Sequence, residues 1–420
     1  MTVPIERPLA RRIIETVGAY GAPPEWGFQL FSAGIGPYLD VLDKDYLGDF
    51  IAGGGASFKL VVGAYGGGKT HFLYSVRELA WRHRYAVAYV PLSAEESPLH
   101  RLELVYRAIV QSLTPPLEPE ELFRGAERGF DAFLKSWLAE TRARLAAEGL
   151  TGTELKAALL AEAGRSLDEV ESVNFCQAVR HLVEALVEGR DDDALNVLQW
   201  ITVQGYDRMT HKQYGILHPV DRSHAFSMIR SLVRWVRNLG YTGLAILFDE
   251  AEQVPSLSSK QREIMLSNLR EIVDECGHAA FRNVLILYAI PDMGFFEGRS
   301  NVYEALKQRI STVFDFVNPT GVRIDLERVM GGEPVALLRE IGQRLADIFQ
   351  AAFAVTLAED RVALALRLVA EAAYEQRFGD IGYKRVFVQG AVRALHSLRA
   401  LPDLRPDEAW AAGIVAGAPA

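Results

Sequence analysis

Five short segments at 58–62, 86–90, 244–248, 284–288 and 322–326 are dominated by apolar and β-branched residues and bounded by glycines or polar turns. Runs of that length and composition predict buried strands. Between them the apolar spacing changes to a helical period, predicting helices over 69–83, 100–111, 223–239, 260–276 and 302–310. In 223–239, for example, Phe226, Ile229, Val233 and Val236 fall on one stripe. The stretch 58–90 reads as strand, glycine-rich turn, helix, strand. That is a βαβ unit, which predicts parallel pairing and a right-handed crossover. The expected class is therefore α/β, a doubly wound five-stranded parallel sheet with helices on both faces.

The flanks are helical. Helices are expected over 9–17 and 37–51, around a turn-rich stretch, 18–27, that holds Pro23 and Pro24. From 116 to 215 the period is helical almost throughout, broken at Gly149, Gly164 and 189–193. Three more helical segments run from 334 to 400. The resulting plan has an N-terminal helical segment (1–56), a core in two pieces (57–115 and 216–332), a large helical insertion (116–215), and a C-terminal helical lid with a tail (333–420).

Charge changes this picture in one place. The 420 residues carry a net charge of −9. The insertion holds 11 Lys/Arg against 18 Asp/Glu, which leaves −7 of that total. A footprint on nucleic acid needs cations facing phosphate, so DNA remains possible but is not supported by charge. Apolar residues such as Phe130, Phe133, Leu134 and Trp137 recur at helical spacing in the insertion. Two readings suit them, a protein-docking module and a bundle that merely packs on the core. Cys176 and Cys276 form no CxxC pair, and the nine histidines never reach HExxH or finger spacing, which argues against zinc. No signal peptide and no run of eighteen apolar residues is present, so a cytoplasmic protein without a membrane span is expected.

The chemistry concentrates in two motifs. Gly63-Ala64-Tyr65-Gly66-Gly67-Gly68-Lys69-Thr70 matches G-x-x-x-x-G-K-[ST]. Its glycines let successive N–H groups turn toward phosphate oxygens, and the helix that starts there adds its positive dipole end. Nucleotide contacts are expected from Gly63, Tyr65, Gly66, Gly67, Gly68, Lys69, Thr70 and His71. Lys69 would reach the β- and γ-phosphates of ATP, and the Thr70 hydroxyl would ligate Mg²⁺. The run LAILFDEAE (244–252) ends a strand in Asp249-Glu250, the form of a Walker B motif. Asp249 would hold Mg²⁺ through water, and Glu250 would polarise the attacking water. Glu252 reads as a helix N-terminal charge.

Five arginines complete the set of candidates. Arg309 follows a short helix before the last strand, where it reads either as a surface charge or as a finger into a neighbouring subunit's γ-phosphate. Arg385, in the last helical segment, is a candidate lid contact to the same phosphates. Arg230, Arg234 and Arg237 share one helix face, read as a solvated surface in preference to a nucleic-acid site.

Motif order, strand count and helical lid together resemble the AAA+ P-loop NTPases, near the branch of origin-recognition initiators and signalling NTPases. More narrowly, GGASFKLVVGAYGGGKTHFL (54–73) and HPVDRSHAFSMIRSLVRWVRNLGYTGLAILFDEAE (218–252) resemble the BREX-system ATP-binding family of bacterial phage-resistance clusters, of the BrxC/BrxD type. The resemblance covers 11–113 and 218–398 and hardly touches the insertion. It implies ATP binding and slow hydrolysis with Mg²⁺, a homo-oligomer, and partners among other defence proteins such as helicase, nuclease or methyltransferase components. Lys69, Thr70, Asp249, Glu250 and Arg309 match the family pattern. The γ-phosphate sensor does not: Tyr288-Ala289-Ile290-Pro291 stands at its place, and Asp292 is the nearest polar side chain. An ATPase switch or motor, a nucleotide-gated scaffold with little turnover, and a small-molecule kinase are the functions to separate. The kinase fits least, because it has no need of Asp-Glu after the third strand.

Overall fold

Strict alternation along the strands builds two separate cores, one on each face of a single sheet. The computed structural model describes residues 5–417 apart from 94, 96, 251–256, 279, 297–300, 316–318, 329–332 and 378–381. The strands are β1 (Ala56–Val62), β2 (Ala86–Pro91), β3 (Leu113–Thr114), β4 (Leu244–Asp249), β5 (Val284–Ile290) and β6 (Arg323–Asp325), in the order β3-β2-β4-β5-β1-β6. The five expected strands are all present and run parallel to one another. The expected strand count is corrected from five to six. Two-residue β3 pairs antiparallel with the edge strand β2, and Thr114 Oγ1 donates to the Val87 carbonyl at 3.1 Å.

Phe58, Leu60 and Val62 point to one face with Ile246, Phe248 and Ile286, while Val61, Leu247 and Leu287 point to the other. Helix α3 (Lys69–Arg82) covers the second face through Phe72, Leu73 and Val76. Beside it lie α2 (Gly36–Val41) and a π-helix (Leu42–Phe50), where one continuous α-helix over 37–51 was expected. One lysine enters this apolar layer. Lys59 is 1% exposed and donates to Tyr46 Oη, the Gly321 carbonyl and the Pro319 carbonyl at 2.7, 2.7 and 3.2 Å. Three acceptors for three protons are what make its burial tolerable.

The first face is covered by α4 (Leu102–Gln111), α11 (Ala225–Asn238) and α12 (Ser259–Gly277). Onto α11 packs most of the insertion, α6 (Phe130–Ala147), α7 (Gly152–Arg165), α8 (Val173–Glu188), α9 (Asp191–Ile201) and α10 (Arg208–Lys212), while the short α5 (Pro119–Arg124) puts Leu122 into the core of the second face. Phe130 stacks on Trp235 of α11 at 4.9 Å, and Phe133 and Phe175 meet the same ring edge-on. Trp235 Nε1 donates to Ser166 Oγ, and Trp137 Nε1 donates to the Leu239 carbonyl. Phe130, Phe133, Leu134 and Trp137 are therefore core residues, and none of them lies on a partner face. The arginine face is corrected as well. Arg230 pairs with Glu171 of the insertion and Glu275 of α12, and Arg234 pairs with Glu169, so two of the three cations clamp the insertion down.

The size of this seam decides what its loss would do. Each large side chain uncovered forfeits about 1.5–3 kcal/mol, and several are involved, against a whole-domain stability of about 5–15 kcal/mol. Replacing 116–215 by a flexible linker is expected to abolish the cooperative thermal transition seen by circular dichroism. A deletion protein that melts like the full chain would show that the seam contributes little.

At the C-terminus, α14 (Pro334–Phe353), α15 (Glu359–Glu375), α16 (Tyr383–Ala400) and a further helix, α17 (Glu408–Ala416), form a bundle. Its core also contains Ala10, Ile13, Ile14 and Val17 of α1 (Arg7–Tyr20), and Phe28 and Phe31 from the turn that follows. The N-terminal segment thus joins the lid through α1 and the sheet through α2. α13 (Asn301–Ile310) lies against α12.

Candidate functional site

β1 ends at Val62, and the Gly63 N–H still bonds to the Ile290 carbonyl of β5 at 3.1 Å. Beyond it the chain turns through left-handed Gly66 (φ +76°) and Gly68 (φ +97°) before α3 begins at Lys69. Gly68 is the N-cap, and its φ suits a residue without Cβ. The free N–H groups of the first turn of α3 therefore face the loop they leave. Lys69 folds across that loop, its Nζ donating to the carbonyls of Gly63 and Ala64 at 3.0 and 3.3 Å.

The second motif arrives from β4. Asp249 is the last residue of that strand and is 1% exposed. Thr70 Oγ1 donates to Asp249 Oδ2 at 2.7 Å, across 179 positions of sequence. Tyr89 of β2 donates its hydroxyl to the same oxygen at 2.6 Å. Burial and the Asp249 charge push the Tyr89 phenol far upward, so it is a permanent donor. Sequence reasoning missed Tyr89. A tyrosine inside a buried strand does carry a signal, because its hydroxyl must find a partner. Glu250 follows at φ +59°, a conformation that costs a non-glycine residue about 1–2 kcal/mol. Its N–H bonds to Asp249 Oδ1 at 2.9 Å.

Comparison with protein families matches the BREX system ATP-binding protein family BrxC/D over residues 5–413. The chain belongs to this family. It is therefore an ATP-binding protein of a BREX system. No curated protein and no solved structure matches the chain.

In this BREX protein the C-terminal bundle touches the glycine-rich loop directly. The Gly382 N–H, at the start of α16, donates to the Tyr65 carbonyl at 2.7 Å. A Cβ on Gly382 would sit 2.2 Å from that carbonyl oxygen, so the approach requires glycine. Lys384 Nζ donates to the Gly67 carbonyl at 3.0 Å, and burial pulls its ammonium pKa down. Arg385 lies over the Tyr65 ring at 5.0 Å and donates to the Tyr20 carbonyl at 2.5 Å. Of the two adjacent lid cations it is Lys384, absent from the sequence reading, that bonds to the loop. Arg385 supports Tyr65.

Between α1, the loop and the lid lies a mostly apolar cavity lined by Val17, Pro23, Phe31, Ile35, Leu337 and Ile341, with the loop glycines and His71 on one wall. Pro24 is buried behind it.

The remaining candidates stand apart. Arg309 pairs with Asp274 of α12 and donates to the Ala305 carbonyl at 2.7 Å, both within this chain. Asp292 is exposed and accepts from the Gly294 N–H at 2.6 Å, while Ala289 and Ile290 are buried. Glu252 lies outside the described residues. Among the described residues no cluster of three His, Cys, Asp or Glu side chains could hold a metal, and no helix is long and apolar enough to cross a membrane.

Proposed function

We propose that this BREX protein is a magnesium-dependent ATPase of the AAA+ type, working as an oligomeric switch or motor beside DNA-processing partners of the defence system. The observation that carries the proposal is the 2.7 Å hydrogen bond between Thr70 and Asp249. It brings a P-loop hydroxyl and a strand-end carboxylate together beside the loop. Two hard oxygens at that spacing suit Mg²⁺, which takes one or two protein ligands and completes its octahedron with phosphates and water. Thr70 and Asp249 would hold the ion, which when bound neutralises charge on the β- and γ-phosphates. Lys69 would add a cation from the loop side, and Glu250 would orient water for in-line attack. The strand order, with β4 and β5 between β2 and the P-loop strand β1, and the helical lid support the AAA+ reading.

Tyr89 holds the carboxylate that receives the ion. Tyr89→Phe is expected to raise the magnesium concentration for half-maximal ATP binding several-fold and to leave magnesium-free binding unchanged. Equal magnesium curves for the variant and the wild type would remove Tyr89 from the site.

Arg309 supplies the test of assembly. In the trans reading, a partner subunit's nucleotide draws the guanidinium from Asp274. Glu250→Gln and Arg309→Ala proteins are each expected to be inactive alone. Mixed, they should recover part of the activity, because some interfaces then hold an intact glutamate and an intact arginine. No recovery at any ratio, with mixed assembly verified, would place Arg309 outside the reaction.

A scaffold with little turnover is favoured by one observation, the buried apolar Ala289-Ile290 where the γ-phosphate sensor is expected. Phosphate release assayed without DNA, with duplex DNA and with single-stranded DNA separates the two readings. Release in any of the three supports the ATPase. None in all three, with ATP bound, supports the scaffold.

A further inference from the structure

The residues above address the phosphates and leave the base unread. The cavity beside the loop is apolar on most sides, so a polar group on its wall decides which base is accepted. Lys384 and Arg385 on that wall are engaged with the Gly67 and Tyr20 carbonyls. His71, in the first turn of α3, remains. Its ring is held edge-on to Phe28 and Phe31, with centroids at 5.1 and 5.5 Å, so it cannot swing freely.

The hydrogen bonds of Ser32 settle which ring nitrogen carries the proton. Ser32 Oγ lies 3.1 Å from the Phe28 carbonyl oxygen and 2.5 Å from His71 Nε2. A hydroxyl has one proton, and a carbonyl can only accept. Both contacts are hydrogen bonds together only if Oγ donates to Phe28 and accepts from Nε2–H. In a neutral imidazole Nδ1 is then a lone-pair acceptor. The ring sits between Phe28 and Phe31, an apolar setting that favours its neutral form. Among the described residues the ring's hydrogen bonding is with Ser32, which leaves Nδ1 available to a ligand in the cavity it lines.

We propose that His71 selects adenine by accepting a hydrogen bond at Nδ1 from its 6-amino group, with Ser32 as the positioning residue that fixes the tautomer. This rests on the P-loop being the nucleotide site. Inosine and guanine present a 6-oxo acceptor where adenine presents a donor. Two acceptors facing each other both go unpaired, which penalises the wrong base more than a missing apolar contact does.

Inosine triphosphate isolates the effect, since it carries the 6-oxo group without the 2-amino group of guanine. Calorimetry on the full chain with magnesium is expected to give at least tenfold tighter binding of ATP than of inosine triphosphate. His71→Phe keeps the ring and removes the nitrogens. It should bring the two nucleotides within about twofold by weakening ATP alone. Ser32→Ala, which frees the tautomer without touching the ring, should also shrink the ratio and serves if His71→Phe does not fold. A wild type without preference, or a folded variant of either kind that keeps the full ratio, overturns the proposal. Lys69→Ala is measured alongside. If binding depends on Lys69 while the ratio survives His71→Phe, only the base assignment falls. If Lys69→Ala binds both nucleotides like the wild type, the site itself is misplaced and the base assignment falls with it.

Discussion

Glu250→Gln is expected to bind ATP with unchanged affinity and to turn it over at least tenfold more slowly, a barrier increase of about 1.4 kcal/mol or more. Asp249, one residue earlier, is buried and committed to Thr70 and Tyr89, so it is unsuited to moving a proton. Glu250 is the next carboxylate, turned away from the strand by a left-handed backbone at φ +59°. Strain of that kind persists only where the surroundings hold it, and here it falls at the end of β4, one strand removed from the P-loop strand β1. Glutamine preserves size and hydrogen-bonding reach but cannot take a proton from water. Affinity and turnover should therefore separate. Measured by calorimetry and phosphate release on the same sample, unchanged turnover would move the general base elsewhere.

Lys69→Ala is expected to lower ATP affinity by at least a hundredfold, about 2.7 kcal/mol, while the thermal transition stays close to that of the wild type. Lys69 is 5% exposed, and its ammonium bonds to the loop carbonyls of Gly63 and Ala64. Removing it leaves those carbonyls without that donor, a modest cost of roughly 1 kcal/mol. The loss toward a triphosphate is larger, because a charge-assisted contact to a multiply charged anion disappears from a site where little water competes. Tight ATP binding by the variant would count against the loop as the phosphate site.

The sheet was largely legible because each parallel strand is a short apolar run between glycines or turns, and the P-loop begins where the first of them ends. Thr70 and Asp249 were nameable from local motifs, although only the folded chain brings them within 2.7 Å. What escaped was structure without local pattern. β3 is two residues long, too short to show a period. The π-helix at Leu42–Phe50 keeps a helical spacing and is indistinguishable by apolar count. Phe130 and Trp137 show that they belong to a helix, but not which surface covers them. That surface is α11, about a hundred residues away. The charges of Arg230 and Arg234 likewise looked solvated because their partners lie 45, 59 and 65 positions away. Lys384 sits beside Arg385 on the same helix turn, and only the approach of Gly382 to Tyr65 decides which cation bonds to the loop.

The central claim is that Thr70 and Asp249 make ATP turnover depend on magnesium at this loop. It is tested by stripping the protein with a chelator and following phosphate release, with and without duplex DNA, as Mg²⁺ is added back. The account predicts no release without the ion, a saturable rise on adding it, and a rise shifted to higher concentration in Thr70→Ala. Turnover that survives chelation, or ATP-bound protein that releases no phosphate at any magnesium concentration with or without DNA, would contradict it.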